Sequence, residues 1–405
     1  MRPQRDTPAA TPSILLPVRG LLVGSALAIT AALPSDAWAQ PAPAARAVAL
    51  TVDHYVPVVS MAPSMEGQTA QIYVRERVLP GIALRSRSLD GRVVLFVHGA
   101  GTPAEVAFDP PGASWMEYLA DAGYDVFSMD MTGYGLSTRP PAMNDPCNLS
   151  EAQQAELVPT QIPAPCPPSY GFAATTIESD WHDLDAVVDY LRALRGVERV
   201  HLAGWSLGGP RAGGYAARHP DKVASAMLLS PAYGRARPAE RPASLPVAGA
   251  AMTKQSRADF EELWDRQLGC EGQFEPDVRA AVWSAMLASD PVGATWGTGV
   301  RRAPRVTTWG WGRDEVARQR TPMLLIAPET DGQVPPERVR DLYEDLGASS
   351  KILVSLACSS HNAMWETNRG LLFDASLQWL REGAVNGIET GELRLGGGPT
   401  RGSGS

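Results

Sequence analysis

An α/β architecture on a mostly parallel sheet is what this 405-residue sequence predicts, and three observations predict it. From about residue 92 onward, short apolar runs alternate with stretches of helical length, the rhythm of strand–helix–strand units. Runs such as 93–98 are apolar throughout rather than alternating, as strands covered on both faces are. Two segments, 139–171 and 233–318, break this rhythm and read as insertions.

Taken in order, residues 51–59 and 71–78 alternate enough to be antiparallel edge strands. Runs 93–98, 124–130, 197–205, 223–230, 323–327 and 351–357 supply six further strands. Segments 115–122, 177–194, 210–219 and 337–346 have helical length and spacing, and a last helix is expected over about 362–381. Segment 139–171 holds many prolines with Cys147 and Cys166, so an irregular loop is expected there rather than a helix. Segment 233–318 carries helix-like pieces and Trp264, Trp283, Trp296, Trp309 and Trp311, and is the candidate cap or lid, mainly helical. The core would then comprise 40–232 and 319–382. Beyond 382 the chain turns to glycine and polar residues, ending Gly402-Ser403-Gly404-Ser405, and 383–405 is expected to be a disordered tail.

The first 39 residues have the pattern of an export signal. Arg2, Arg5 and Arg19 supply positive charge, residues 21–33 are apolar, and Ala37-Trp38-Ala39 offers a small-residue cleavage site before Gln40. The apolar run is short of the roughly 20 residues needed to cross a bilayer. Cleavage therefore predicts a secreted or periplasmic protein with no stable membrane span; the alternative is an uncleaved anchor. An oxidising compartment bears on Cys147, Cys166, Cys270 and Cys358. Two disulfides are expected, with three possible connectivities. Cys147–Cys166, closing the Pro-rich insertion, and Cys270–Cys358 are favoured over four buried thiols. No cysteine spacing resembles a zinc site, so no metal and no cofactor is expected. The net charge of −8, with no cluster of Lys and Arg, argues against nucleic acid or anionic membrane as the main partner. The oligomeric state is not legible.

The segment that carries chemistry is Gly204-Trp205-Ser206-Leu207-Gly208, between a predicted strand and a predicted helix. Such a turn forces its serine into a strained conformation, exposing the hydroxyl at the carboxyl edge of the sheet and at a helix N-terminus. By itself the pattern is weak, since a Gly-rich turn can simply pack tightly. Serine also needs a general base, and the base needs an orienting acid. His361 follows the last predicted strand, and Asp331, in Glu329-Thr330-Asp331-Gly332, follows the one before it. Glu329 is the rival acid. The order Ser206, Asp331, His361 is that of a known architecture. His98, His201 and His219 sit on or beside core elements, His54 lies far upstream, and His182 falls within a helix.

His98-Gly99-Ala100-Gly101, Asp130-Met131-Thr132-Gly133-Tyr134-Gly135-Leu136-Ser137, the Ser206 turn, the Asp331 segment and His361 together resemble the α/β-hydrolase superfamily over about 90–382. That resemblance implies an α/β-hydrolase fold and a Ser206–His361–Asp331 triad. It also implies an oxyanion site made by the backbone N–H groups of Ala100 and Leu207. Members acting on epoxides or haloalkanes carry Asp at the turn, where Ser206 stands here. In another branch the acid follows the sixth strand, where this chain reads Ser230-Pro231-Ala232-Tyr233 with no carboxylate.

The expected activity is hydrolysis of a small-molecule carboxylic ester with an apolar or aromatic moiety, through an acyl-enzyme. The same residues serve a lactone, thioester or amide, including an N-terminal peptide bond. A silent binding protein on this fold is the reading from another class. Trp205, Trp309 and Trp311 are the candidate substrate-pocket residues, although cap tryptophans can equally form the cap's own core.

Overall fold

The computed structural model describes residues 48–82, 88–235, 249–305 and 310–397. The expected signal (1–39) and Trp309 lie outside them. The strands are β1 (Leu50–Val59), β2 (Thr69–Val78), β3 (Val93–Val97), β4 (Asp125–Met129), β5 (Val200–Trp205), β6 (Val223–Leu229), β7 (Met252–Ser256), β8 (Val300–Pro304), β9 (Met323–Pro328), β10 (Lys351–Leu356) and β11 (Gly391–Leu395). The helices are α1 (Ala104–Phe108), α2 (Trp115–Asp121), α3 (Glu151–Ala155), α4 (Ile177–Arg195), α5 (Gly208–Arg218), α6 (Arg257–Asp265), α7 (Pro276–Ala288), α8 (Arg313–Arg318), α9 (Pro336–Asp345) and α10 (Arg369–Glu382).

Among the described residues nine strands form one sheet in the order β1-β2-β4-β3-β5-β6-β9-β10-β11. β1 and β2 are antiparallel to each other, β2 is antiparallel to β4, and every later pairing is parallel. This is the α/β-hydrolase fold the sequence predicts. Strands β3, β4, β5 and β9 are buried at every position, because successive side chains point to opposite faces and both faces are covered. Leu95, Val97, Phe127, Leu202 and Leu228 pack with Leu184 and Val188 of α4 and Tyr215 of α5. Val94, Phe96, Ala203, Met227 and Leu324 pack with Trp115 and Leu119 of α2 and Phe373 and Trp379 of α10. Each large apolar side chain so buried contributes roughly 1.5–3 kcal/mol. α4 starts with a reciprocal capping box between Thr176 and Ser179 and stops at Gly196.

Two expectations are corrected. The Pro-rich segment 139–171 is largely irregular but holds α3, since Ser150 and Glu151 open an Ala- and Gln-rich run between Pro146 and Pro159 that can complete a helical turn. Residues 383–397 are not a disordered tail: β11 pairs in parallel with β10. There Leu393 and Leu395 pack on the core while Glu392 and Arg394 alternate outward to Arg340 and Glu329. Among the described residues of 233–318, α6, α7 and α8 are joined by a feature not expected from the sequence, an antiparallel ribbon of β7 and β8. The last part of the segment, α8, packs against α5 and α9 of the core. Both favoured disulfides are present, Cys147–Cys166 and Cys270–Cys358.

Candidate active site

Parallel order brings the carboxyl ends of β3, β5, β9 and β10 to one edge of the sheet, where α/β proteins hold their ligands. At the end of β5 the chain turns sharply into α5, and Ser206 takes φ 57°, a left-handed conformation unfavourable for a residue with a Cβ. The flanking glycines make that turn possible. A Cβ on Gly204 would lie 2.4 Å from the Gly208 oxygen, and one on Gly208 would lie 2.2 Å from the Val97 oxygen. The strained turn is fixed by backbone bonds from Ser206 N to Leu229 O (3.0 Å) and from Gly209 N and Ala232 N to Ser206 O (both 2.9 Å).

His361 and Asp331 come from adjacent parallel strands, β10 and β9. Nδ1 of His361 lies 2.9 Å from Oδ2 and 3.1 Å from Oδ1 of Asp331. Both residues are buried, and Oδ1 of Asp331 also accepts the N–H groups of Gln333 and Val334 at 2.8 Å. Thus the carboxylate is oriented by its own loop before it orients the imidazole. Glu329 instead forms an exposed ion pair with Arg394. Thr330 N donates to Ser359 O at 3.0 Å, tying the two loops together. Gln267, at the end of α6, accepts the N–H of Gly332 at 3.0 Å and that of His361 at 3.4 Å.

The loop after β3 is held from beneath. Nδ1 of His98 donates to Gly99 O (2.7 Å), while its Nε2 accepts the N–H of Met131 (3.0 Å), which assigns the proton to Nδ1. Complete burial, with the charge of Arg211 nearby, holds the His98 pKa well below the ordinary imidazole range. Arg211 Nη1 donates to His98 O (2.9 Å) and Gly99 O (3.1 Å), and its Nε to Asp180 (2.7 Å). In a trans peptide the N–H points opposite to the carbonyl, so pinning Gly99 O turns the Ala100 N–H away from Arg211. Among the described residues neither the Ala100 nor the Leu207 N–H has a hydrogen-bond acceptor.

Ala100, Ser206 and His361 line one narrow cavity of about 60 Å³. Trp205, Phe260, Trp264, Gln255 and Arg301 complete much of its wall. Trp205 also donates its Nε1–H to His361 O at 2.8 Å. Trp311 is corrected as a pocket candidate: it is buried over Gly213 of α5, against Tyr233, and bonded to Gln319. Trp264 takes that part, with Phe260 and Leu263 at helical spacing on the inner face of α6. That spacing is legible in the sequence. The contribution of Gln255 and Arg301 is not, because it depends on how β7 and β8 pair. Among the described residues no group of three His, Cys, Asp or Glu side chains could hold a metal ion.

The family model described as alpha/beta hydrolase fold matches residues 92–367. No curated protein matches the chain. Among solved structures, an esterase from Thermogutta terrifontis is 18% identical, covering 81% of this chain and 98% of its own, with a TM-score of 0.49. A monoacylglycerol lipase from Paleococcus ferrophilus is 20% identical, covering 76% and 98%, with a TM-score of 0.43. The naproxen esterase of Bacillus subtilis is 16% identical, covering 80% and 91%, again at 0.43. With the family match spanning well over half its length, the chain belongs to the α/β-hydrolase family.

Proposed function

We propose that the protein is an exported serine hydrolase of carboxylic esters, with Ser206 as nucleophile, His361 as general base and Asp331 as the acid that orients it. The observation that carries this reading is the strained Ser206 on the wall of a cavity it shares with His361, whose Nδ1 is committed to Asp331. Nε2 of His361 is then the basic nitrogen available on the cavity side. It takes the Ser206 proton as Oγ attacks the ester carbonyl carbon, and the unpartnered N–H groups of Ala100 and Leu207 receive the oxyanion. Collapse breaks the bond to the alcohol, which leaves with the proton from His361. Water, deprotonated by the same nitrogen, attacks the acyl-enzyme and releases the acid and Ser206.

The aromatic wall of Trp205, Phe260 and Trp264 favours a substrate with an apolar or aromatic portion. A fluorophosphonate probe should label Ser206 in the folded protein and not label Ser206→Ala; absence of label in the wild type sinks the assignment. A panel of esters, lactones, thioesters and aminoacyl amides then ranks the acyl bonds, with esters expected first. For export, the two disulfides are compatible with an extracellular location. No helix among the described residues is long and apolar enough to cross a membrane. N-terminal sequencing of the protein from its native host should read from Gln40.

A further inference from the structure

Arg301 and Arg302 are neighbours on β8 with opposite surroundings, as alternation along a strand dictates. Arg302 is fully buried, and its guanidinium grips Asp290 through Nε (3.0 Å) and Nη2 (2.6 Å). Its Nη1 donates to Met143 O and to Asn144 Oδ1, and the ring of Trp296 lies against it. Its charge is answered on every side. Arg301 points the other way, into the cavity that holds Ser206, Ala100 and His361. Among the described residues only its Nε has a partner, the neutral amide oxygen of Gln255 at 2.7 Å, and no carboxylate pairs with it. Burial pushes its pKa down to about 10, so it stays cationic at neutral pH.

Space is reserved for this side chain. Gly101 adopts φ +83°, and a Cβ there would fall 1.6 Å from Nη1 of Arg301. A partly desolvated cation without a counter-ion is costly in a fold, yet this one is placed on the wall of the cavity in a chain of net charge −8. Its two outer nitrogens form the planar fork that matches a carboxylate.

Resting on the reading of Ser206 as nucleophile, we propose that the substrate is an ester carrying a carboxylate on its acyl or alcohol part, held by Nη1 and Nη2 of Arg301. Arg301 and Ser206 line the same narrow cavity, which keeps the link between that carboxylate and the ester to a few atoms. The substrate class is therefore half-esters of short dicarboxylic acids or esters of short hydroxy acids.

Two matched pairs test this on the full chain. 4-Nitrophenyl hemisuccinate against 4-nitrophenyl 4-methylpentanoate places the charge on the acyl side, and O-acetylglycolate against isobutyl acetate places it on the alcohol side. In at least one pair the anionic ester should exceed its neutral isostere in kcat/KM by roughly tenfold or more. That ratio should collapse towards one in Arg301→Gln and recover in part in Arg301→Lys. Wild-type ratios at or below one in both pairs overturn the proposal, as does a ratio unchanged in Arg301→Gln. If Arg301→Gln does not fold, the wild-type ratios decide alone. Fluorophosphonate labelling of the same samples separates the two levels: no label at Ser206 defeats the serine-hydrolase reading, whereas label without anion preference defeats only this one.

Discussion

Nδ1 of His361 lies 2.9 Å from Oδ2 of Asp331, while Glu329, two residues earlier, has both carboxylate oxygens on Arg394. The loop past the end of β9 reaches the imidazole; the strand-end position turns outward to β11. Asp331→Asn keeps the shape but cannot hold the proton-bearing Nδ1 as a carboxylate does. Its kcat on a nitrophenyl ester should fall by roughly ten-thousandfold, the size seen where a triad acid is so changed. Glu329→Gln removes an exposed ion pair worth about 1 kcal/mol or less and should leave kcat within twofold. The reverse ranking would reassign the acid.

Arg211 joins the base of the loop that carries Ala100 to Asp180 in a fully buried pair. Arg211→Met strands a buried carboxylate and should destabilise the fold by about 3–5 kcal/mol, read by urea unfolding. Adding Asp180→Leu removes the stranded charge and should restore most of that stability. In the double variant Gly99 O keeps the His98 Nδ1–H but lacks the Arg211 bond, as does His98 O, so kcat should stay roughly tenfold below wild type with KM little changed. Recovery of kcat together with stability would make Arg211 a purely structural residue.

The two disulfides should separate in the same way. Cys270–Cys358 spans 88 residues and Cys147–Cys166 spans 19, so on chain-entropy grounds they stabilise by about 4–5 and about 3 kcal/mol. Only the longer one joins the segment after α6 to the loop that carries His361. Cys270→Ser with Cys358→Ser should lower both Tm and kcat, whereas Cys147→Ser with Cys166→Ser should lower Tm alone. Equal losses of kcat would detach the longer bridge from the site.

The strands that build the sheet were legible because burial on both faces leaves an uninterrupted apolar run, as in 93–97 and 323–328. Ser206, Asp331 and His361 were legible because each follows such a run. What stayed hidden has little hydrophobic signal. Lys254, Gln255, Arg301 and Arg302 sit in a ribbon whose pairing alone gives them their surroundings. Trp311 shows the converse, since a large apolar residue signals burial without saying which cavity or core it enters. In 383–397, glycines that read as disorder are turn residues, including Gly387 and Gly396 at positive φ.

Acid should expose His201. Burial holds its pKa down at about 4, against an ordinary 6.5. Between those values the unfolded chain binds a proton that the folded chain refuses, so this residue's contribution to stability is present above pH 6.5 and lost as pH falls towards 4. From pH 7 to 4.5 the loss is roughly 2–3 kcal/mol. Buried carboxyls titrate in the same range, so the measurement is the difference between wild type and His201→Asn in urea unfolding at both pH values. The variant should be the flatter of the two; parallel curves would mean His201 protonates freely in the fold.

Glu366 is fully buried behind the cavity, where Oε2 accepts the N–H of Ser360 at 2.8 Å and Oε1 accepts the Ser360 hydroxyl at 2.5 Å and the Trp264 Nε1–H at 2.9 Å. A carboxyl group that accepts on both oxygens cannot be copied by an amide, which must turn its NH₂ towards one of these donors. Glu366→Gln should therefore destabilise the fold by about 1–3 kcal/mol, the cost of an unsatisfied buried donor. Because Ser360 precedes His361 and Trp264 forms part of the cavity wall, the same change should lower kcat and raise KM together. Trp264→Phe removes one donor and leaves the bonds to Ser360, so it should raise KM with a smaller effect on kcat. If Glu366→Gln lowers Tm while both kinetic constants hold, Glu366 supports the fold without positioning His361.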